Sequence, residues 1–197
     1  MFKKKIKARM LNRKASSPQN KPDHVLGALT LRPGDHVADI GVGGGYFSMR
    51  FADAVGELGR IYAVDRDPDF LALFRKSAAK RGVKNVTLVP ADALASDIPA
   101  RSLDCVFLRN VYHHLRDRVA YIESISGLLK PDGRVAIIEY TEKSTGQPPG
   151  HFVPPSVIIS EMSEAGFRLE KSYDLLRPRQ SYAIFSKKIE GRRSGII

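Results

Sequence analysis

Asp39-Ile40-Gly41-Val42-Gly43-Gly44-Gly45-Tyr46-Phe47 decides how this chain folds. The apolar run His36-Val37-Ala38 precedes it and a stretch able to be helical follows, so the order is strand, glycine turn, helix. Glycine at 41, 43 and 45 permits backbone angles closed to other residues and lets a ligand rest against main chain. A second segment, Arg60-Ile61-Tyr62-Ala63-Val64-Asp65, reads as a strand ending in a carboxylate. It lies about 20 residues beyond the glycines, where an acid can hydrogen-bond a ribose diol. The two segments together predict a nucleoside-type cofactor at the carboxyl ends of parallel strands.

A dinucleotide fingerprint needs G-x-G-x-x-G, and that pattern fails here because position 46 is Tyr. The spacing is instead D-x-G-x-G-x-G. Asp39 would repel a pyrophosphate but suits a cationic or amino-acid-bearing ligand. Only Arg66, beside Asp65, points toward an NADP-type phosphate. The pattern resembles motif I of the class I S-adenosylmethionine (SAM)-dependent methyltransferases. Three further segments, in the family's order, extend the resemblance: Pro90-Ala91-Asp92-Ala93, the run Leu103 to Leu115, and Leu128-Leu129-Lys130-Pro131-Asp132-Gly133. The last resembles the family's "LLKPGG" turn, with Asp132 in place of a glycine. The Gly146-Gln147-Pro148-Pro149-Gly150-His151 turn and the later Glu164-Ala165-Gly166-Phe167 are similar to the small ubiquinone/menaquinone methyltransferases.

Alternating strand and helix patterns predict an α/β fold, a Rossmann-like doubly wound sheet. The expected strands are a first one on the His36-Val37-Ala38 run, then 60–65, 86–89, 104–109 and 134–140, with helices at 22–29, 46–55, 68–80, 117–129 and 155–165. A terminal hairpin, 167–174 and 181–187, adds one antiparallel strand to a mostly parallel sheet. The residues from Thr141 to Pro155 are a Pro/Gly-rich loop of a length often found in lids or binding loops. The expected organisation is a basic arm at 1–21, a SAM-dependent methyltransferase domain at 22–186 and a basic tail at 187–197.

The chain has 197 residues, 43% hydrophobic, which suffices for one core. No apolar run approaches a membrane span, and the N-terminus lacks the apolar region of a signal peptide. One cysteine, Cys105, excludes an internal disulfide and fits a cytoplasmic protein. It stands in an apolar strand and reads as a buried thiol.

The net charge of +11 sits at the two ends, and residues 23–185 are neutral. Two readings stand for the basic arm. It is a solvated tail, or Phe2, Ile6 and Met10 among lysines form an amphipathic helix for weak association with an anionic membrane or RNA. Ile189-Glu190-Gly191-Arg192 matches a factor Xa site and carries no functional reading.

The resemblance assigns roles. The Gly41, Gly43 and Gly45 backbone cradles the methionine part of SAM, and Asp39 anchors its amino group. Asp65 takes the ribose hydroxyls, and Asp92 with Ala93 borders the adenine. Asn110, at the end of a strand, stands beside the methyl. His113 or His114 is a candidate base, with at most one expected to face the cleft. Tyr140 and His151 are candidate acceptor contacts. No Cys or acid cluster stands at ligand spacing with His113 and His151, so no metal set is expected. Amino-methylating relatives carry an Asn/Asp-Pro-Pro-Tyr loop where this chain has Asn110-Val111-Tyr112-His113. The absence of prolines favours C-, O- or S-methylation of a small-molecule acceptor. The alternatives are methylation of RNA or protein through the basic arms, and non-catalytic SAM binding.

Overall fold

The structure, a computed structural model, describes residues 2–144, 148–176 and 178–188. Helices α1 (Phe2–Ser16) and α2 (Pro22–Leu29) precede the sheet. Then follow β1 (His36–Ile40), α3 (Tyr46–Val55), β2 (Arg60–Asp65), α4 (Pro68–Lys80), β3 (Val86–Pro90), α5 (Leu94–Asp97), β4 (Leu103–Arg109), α6 (Arg118–Ser126), β5 (Leu129–Tyr140), α7 (Pro155–Glu164), β6 (Phe167–Tyr173) and β7 (Gln180–Lys187). The seven strands run in the order β3-β2-β1-β4-β5-β7-β6. The first five are parallel, and β7 is antiparallel to both β5 and β6. Strand β5 begins earlier than its apolar run because Leu129 pairs with Leu103.

Alternation along the strands divides the core. Ala38, Ile40, Val106, Leu108, Val135 and Ile137 pack with Ile122 and Ile125 of α6 and Ile158 and Met162 of α7. Val37, Ile61, Phe107, Ala136 and Ile138 pack on the other face with Val25, Phe47 and Phe51. Phe51 and Phe107 are fully buried and meet edge-on, 5.1 Å between centroids. Each such side chain contributes roughly 1.5–3 kcal/mol through burial. Helix α4 starts as its sequence dictates: Asp67 caps it by accepting from the Asp69 N–H at 3.1 Å, with Pro68 in the first turn.

Strand order reverses between β1 and β4, opening a crevice at their carboxyl ends where ligands bind in this architecture. Asp39, Arg109 and Tyr140 share the strand parity of Val37, Phe107 and Ile138, whereas Glu139 shares that of Ile137. One end of the sheet thus presents charged groups to both sides of the crevice.

The segment expected as an arm is organised differently. Residues 2–16 are helical and contact both α3 and α4. Ala8 and Ala15 are buried, while Phe2, Ile6 and Met10 are exposed. The short residues of α1 therefore make its closest contacts, Leu11 is half-buried, and Phe2, Ile6 and Met10 face solvent. No helix among the described residues is long and apolar enough to cross a membrane. The Ile189–Arg192 stretch and residues 146 and 147 lie outside the described residues.

Candidate active site

The glycine loop is tied to the end of β2. The Gly41 and Val42 N–H groups both donate to the Val64 carbonyl, at 2.8 and 2.9 Å. The Gly43 N–H donates to Asp65 at 3.0 Å, and the other Asp65 oxygen accepts from the Asp67 N–H at 2.9 Å. These amides are occupied within the protein, so the glycines serve by close approach rather than as donors. Gly41 lies at φ +82 with Val111 against it, where a Cβ would stand 2.3 Å from a Val111 methyl carbon.

Asp39 is buried and accepts a 2.5 Å hydrogen bond from the Ser48 hydroxyl. Burial pushes its carboxyl up to about 6, partly offset by the Ser48 bond. Arg109, on neighbouring β4, packs over the Phe47 ring at 5.1 Å. Its Nε has no hydrogen-bond partner among the described residues, and burial lowers its pKa.

Beyond Arg109 the chain turns sharply. Asn110 adopts φ +54, and its side-chain oxygen accepts from Gln180 at 2.6 Å. A single 3-10 turn, Tyr112–His114, follows. Glu139, wholly buried, accepts from the His113 N–H at 3.1 Å, sits 2.9 Å from His113 Nδ1, and accepts from the Tyr140 N–H at 2.7 Å. A carboxylate there calls for Nδ1–H, which leaves Nε2 as a lone-pair nitrogen. The His113 ring lies 4.0 Å from that of His114 and 5.1 Å from that of His151, between centroids.

These groups line one cavity of about 590 Å³. Its walls include Asp39, Gly41, Gly43, Asp65, Arg109, Asn110, His113, His114, Tyr140 and His151. Helix α1 completes it with Lys7, Leu11, Asn12 and Lys14. Asn12 donates to the Gly44 carbonyl at 2.8 Å, Lys14 stands over the Tyr140 ring at 4.9 Å, and Lys4 pairs with Asp67.

Several expectations change in place. Gly45 is not on the cavity wall: it lies against Phe74, and Gly44 lines the wall instead. Asp92 is exposed and, with Ala93, stands outside the lining, where Ala91 forms the wall. Both His113 and His114 reach the cavity, because a 3-10 turn brings successive side chains nearer one another than a strand does. Sequence spacing offered no metal set, yet the fold gathers His113, His114 and His151 with ligand nitrogens all within 4.8 Å of one another. Glu139 and Arg109 were not singled out from sequence, and the N-terminal segment was read as a tail or amphipathic helix, not as a wall of the cavity. Glu139 had one signal, an acid closing an apolar strand at the sheet's carboxyl edge. Cys105 is buried, its thiol pushed up to about 12, and takes no part in the cavity.

The comparisons agree with this geometry. Residues 37–133 match the family described as "Methyltransferase domain". Over that stretch, just under half of its length, the chain is similar to the class I SAM-dependent methyltransferases. Relatives include the ubiquinone/menaquinone biosynthesis C-methyltransferase UbiE of Marinomonas sp., 29% identical over 74% of this chain and 55% of that protein. Aklanonic acid methyltransferase DauC of Streptomyces sp. is 30% identical over 66% of this chain and 61% of that one. The chain spans between 45% and 61% of the length of these curated relatives and their neighbour from Teredinibacter turnerae. A SAM-dependent methyltransferase from Aquifex aeolicus shares the fold, with a TM-score of 0.77 and 24% identity over 89% of this chain and 97% of that one.

SAM is the cofactor of such methyltransferases, and the cavity fits it. Asp39 and Asp65 line it as acceptors suited to an ammonium group and a diol, with Gly43 beside them on the wall.

Proposed function

We propose that this methyltransferase transfers the methyl group of SAM to a small-molecule acceptor bearing an ionisable hydroxyl. Bound in the cavity, SAM supplies a methyl activated by its sulfonium, and the sulfur keeps the electron pair when the carbon–sulfur bond breaks. Asp39 pairs with the ammonium of the methionine part, and Asp65 accepts from the ribose. Asn110 and Tyr140 border the reacting end. His113 accepts the hydroxyl proton at Nε2. The methyl goes to that oxygen or to a carbon conjugated with it. Holding the nucleophile in line and excluding water is most of the remaining work.

The observation that carries this reading is the 2.9 Å contact between His113 Nδ1 and the buried Glu139 carboxylate. It fixes the tautomer a base needs, and a positioned base adds about 10²–10⁴-fold to such a step. Two features of the basic helix also weigh against a polyanionic substrate: Lys4 is paired with Asp67, and Lys14 lies over Tyr140.

The test is labelled SAM with cell extract divided into small-molecule, lipid, RNA and protein fractions. Label in the small-molecule or lipid fraction supports the proposal and identifies the acceptor. Label in RNA or protein overturns it, and label nowhere with SAM bound makes the chain a SAM-binding protein.

A second reading concerns α1. Its exposed Phe2, Ile6 and Met10 stand among lysines, which suits weak contact with an anionic membrane. Flotation with phosphatidylglycerol vesicles that is lost in the Phe2→Ser/Ile6→Ser double variant supports it. Retention on RNA instead, steeply reduced by salt, would reassign the surface.

A further inference from the structure

We propose that His113, His114 and His151 form a three-nitrogen site for one divalent transition-metal ion at the mouth of the cofactor cavity. Three of the chain's five histidines converge there. Their candidate ligand nitrogens lie within 4.8 Å of one another, and the His114 and His151 rings are 5.3 Å apart. A metal bound by imidazole sits about 2.0–2.1 Å from each nitrogen. Closure therefore requires the rings to draw inward by about an ångström. His114 is exposed and His151 lies in a Pro/Gly turn, so two of the three can adjust.

The third is held. Glu139 grips His113 through both ring and backbone, at 2.9 and 3.1 Å. A carboxylate on the far ring nitrogen is the arrangement that orients histidine ligands and raises their basicity. The buried acid also supplies one negative charge beside a dication. The donor set contains no thiolate, and Glu139 stands behind His113 rather than among the donors. Neutral imidazoles favour zinc, cobalt, nickel or copper over magnesium or calcium. Three protein nitrogens leave at least one position open. That position borders the cavity shared with Asn110 and Tyr140, where an acceptor oxygen could occupy it and lose its proton to solvent.

The site shares its residues with the reaction proposed above but does not rest on it. The lone pair that makes His113 a base is the one that would take the metal. A loaded protein would therefore exchange a base for a Lewis acid at the same atom.

The experiment is a cobalt(II) titration of the full chain after removal of metals by chelation, read by visible absorption without SAM or acceptor. Zinc competition against a chromophoric chelator gives the affinity. One equivalent with the intense bands of a low-coordinate nitrogen site is expected. His114→Ala and His151→Ala should each weaken binding at least tenfold while keeping the parent's circular dichroism. Glu139→Gln should weaken it about 10–100-fold. Absence of stoichiometric binding, or affinity unchanged from the parent in both histidine variants, overturns the proposal. Since no methyl transfer is read, failure of the acceptor assay leaves this result standing, and the converse holds.

Discussion

The side-chain amide of Asn12 reaches the carbonyl of Gly44 at 2.8 Å, joining α1 to the loop beneath the cofactor cavity. No space remains between them: a Cβ on Gly44 would lie 2.1 Å from the Asn12 side-chain oxygen and 2.4 Å from the Ala8 carbonyl. The helix is part of the binding unit. Asn12→Ala removes one partly buried hydrogen bond, worth about 1 kcal/mol. SAM affinity by calorimetry should fall about fivefold, and deletion of residues 2–16 should reduce it further.

Replacing Glu139 with Gln keeps its size and removes the anion that holds Nδ1–H. Turnover should fall about 100-fold or more, with SAM affinity unchanged. Equal losses of turnover and SAM affinity would instead mean that Glu139 serves the shape of the cavity.

Asp39 predicts a pH dependence. Burial raises its carboxyl to about 6, so the acid is ionised above that pH and neutral below it. In the role proposed for Asp39, the ammonium of SAM binds the ionised form. Affinity should be flat above about pH 7 and fall about tenfold per unit below the shifted value. Asp39→Asn should bind weakly and show no such slope, as measured by calorimetry from pH 5 to 8.

Gly45 stands against an aromatic ring rather than a ligand. A Cβ there would lie 2.1 Å from Phe74 Cδ2, at a backbone φ of +83. Phe74 is 1% exposed and cannot swing aside. Gly45→Ala should cost roughly 2–4 kcal/mol from overpacking and strain, lowering the thermal midpoint by roughly 5–15 °C.

Sequence disclosed those parts of the site whose function depends on local spacing. Asp39, Gly41, Gly43 and Asp65 lie at or just beyond the ends of two strands that pair side by side, so their meeting on one cavity wall was readable from spacing. The strands and helices followed from period and caps, Asp67-Pro68 being the clearest. What stayed hidden depends on contacts across the chain. Glu139 gains its role from the β4–β5 register, in which Arg109 pairs with Ile138 and the following turn drops His113 onto the acid. His151 meets His114 only once a long loop has folded back. The packing of helix α1 was hidden from its apolar pattern because it packs through Ala8, Leu11, Asn12 and Ala15 while Phe2, Ile6 and Met10 face water.

Gln180 opens β7, and its amide fixes Asn110, the residue held at φ +54 at the lip of the cavity. Strand β7 lies between β5 and β6, so β6 joins the sheet only after the residues from Gln180 onward have been synthesised. A ribosome-bound chain ending before Gln180 already contains the glycine loop, both cofactor acids and the histidine turn, yet lacks the clamp on Asn110. The lip of the cavity at Asn110 is therefore completed by a later part of the chain than the residues that form its floor.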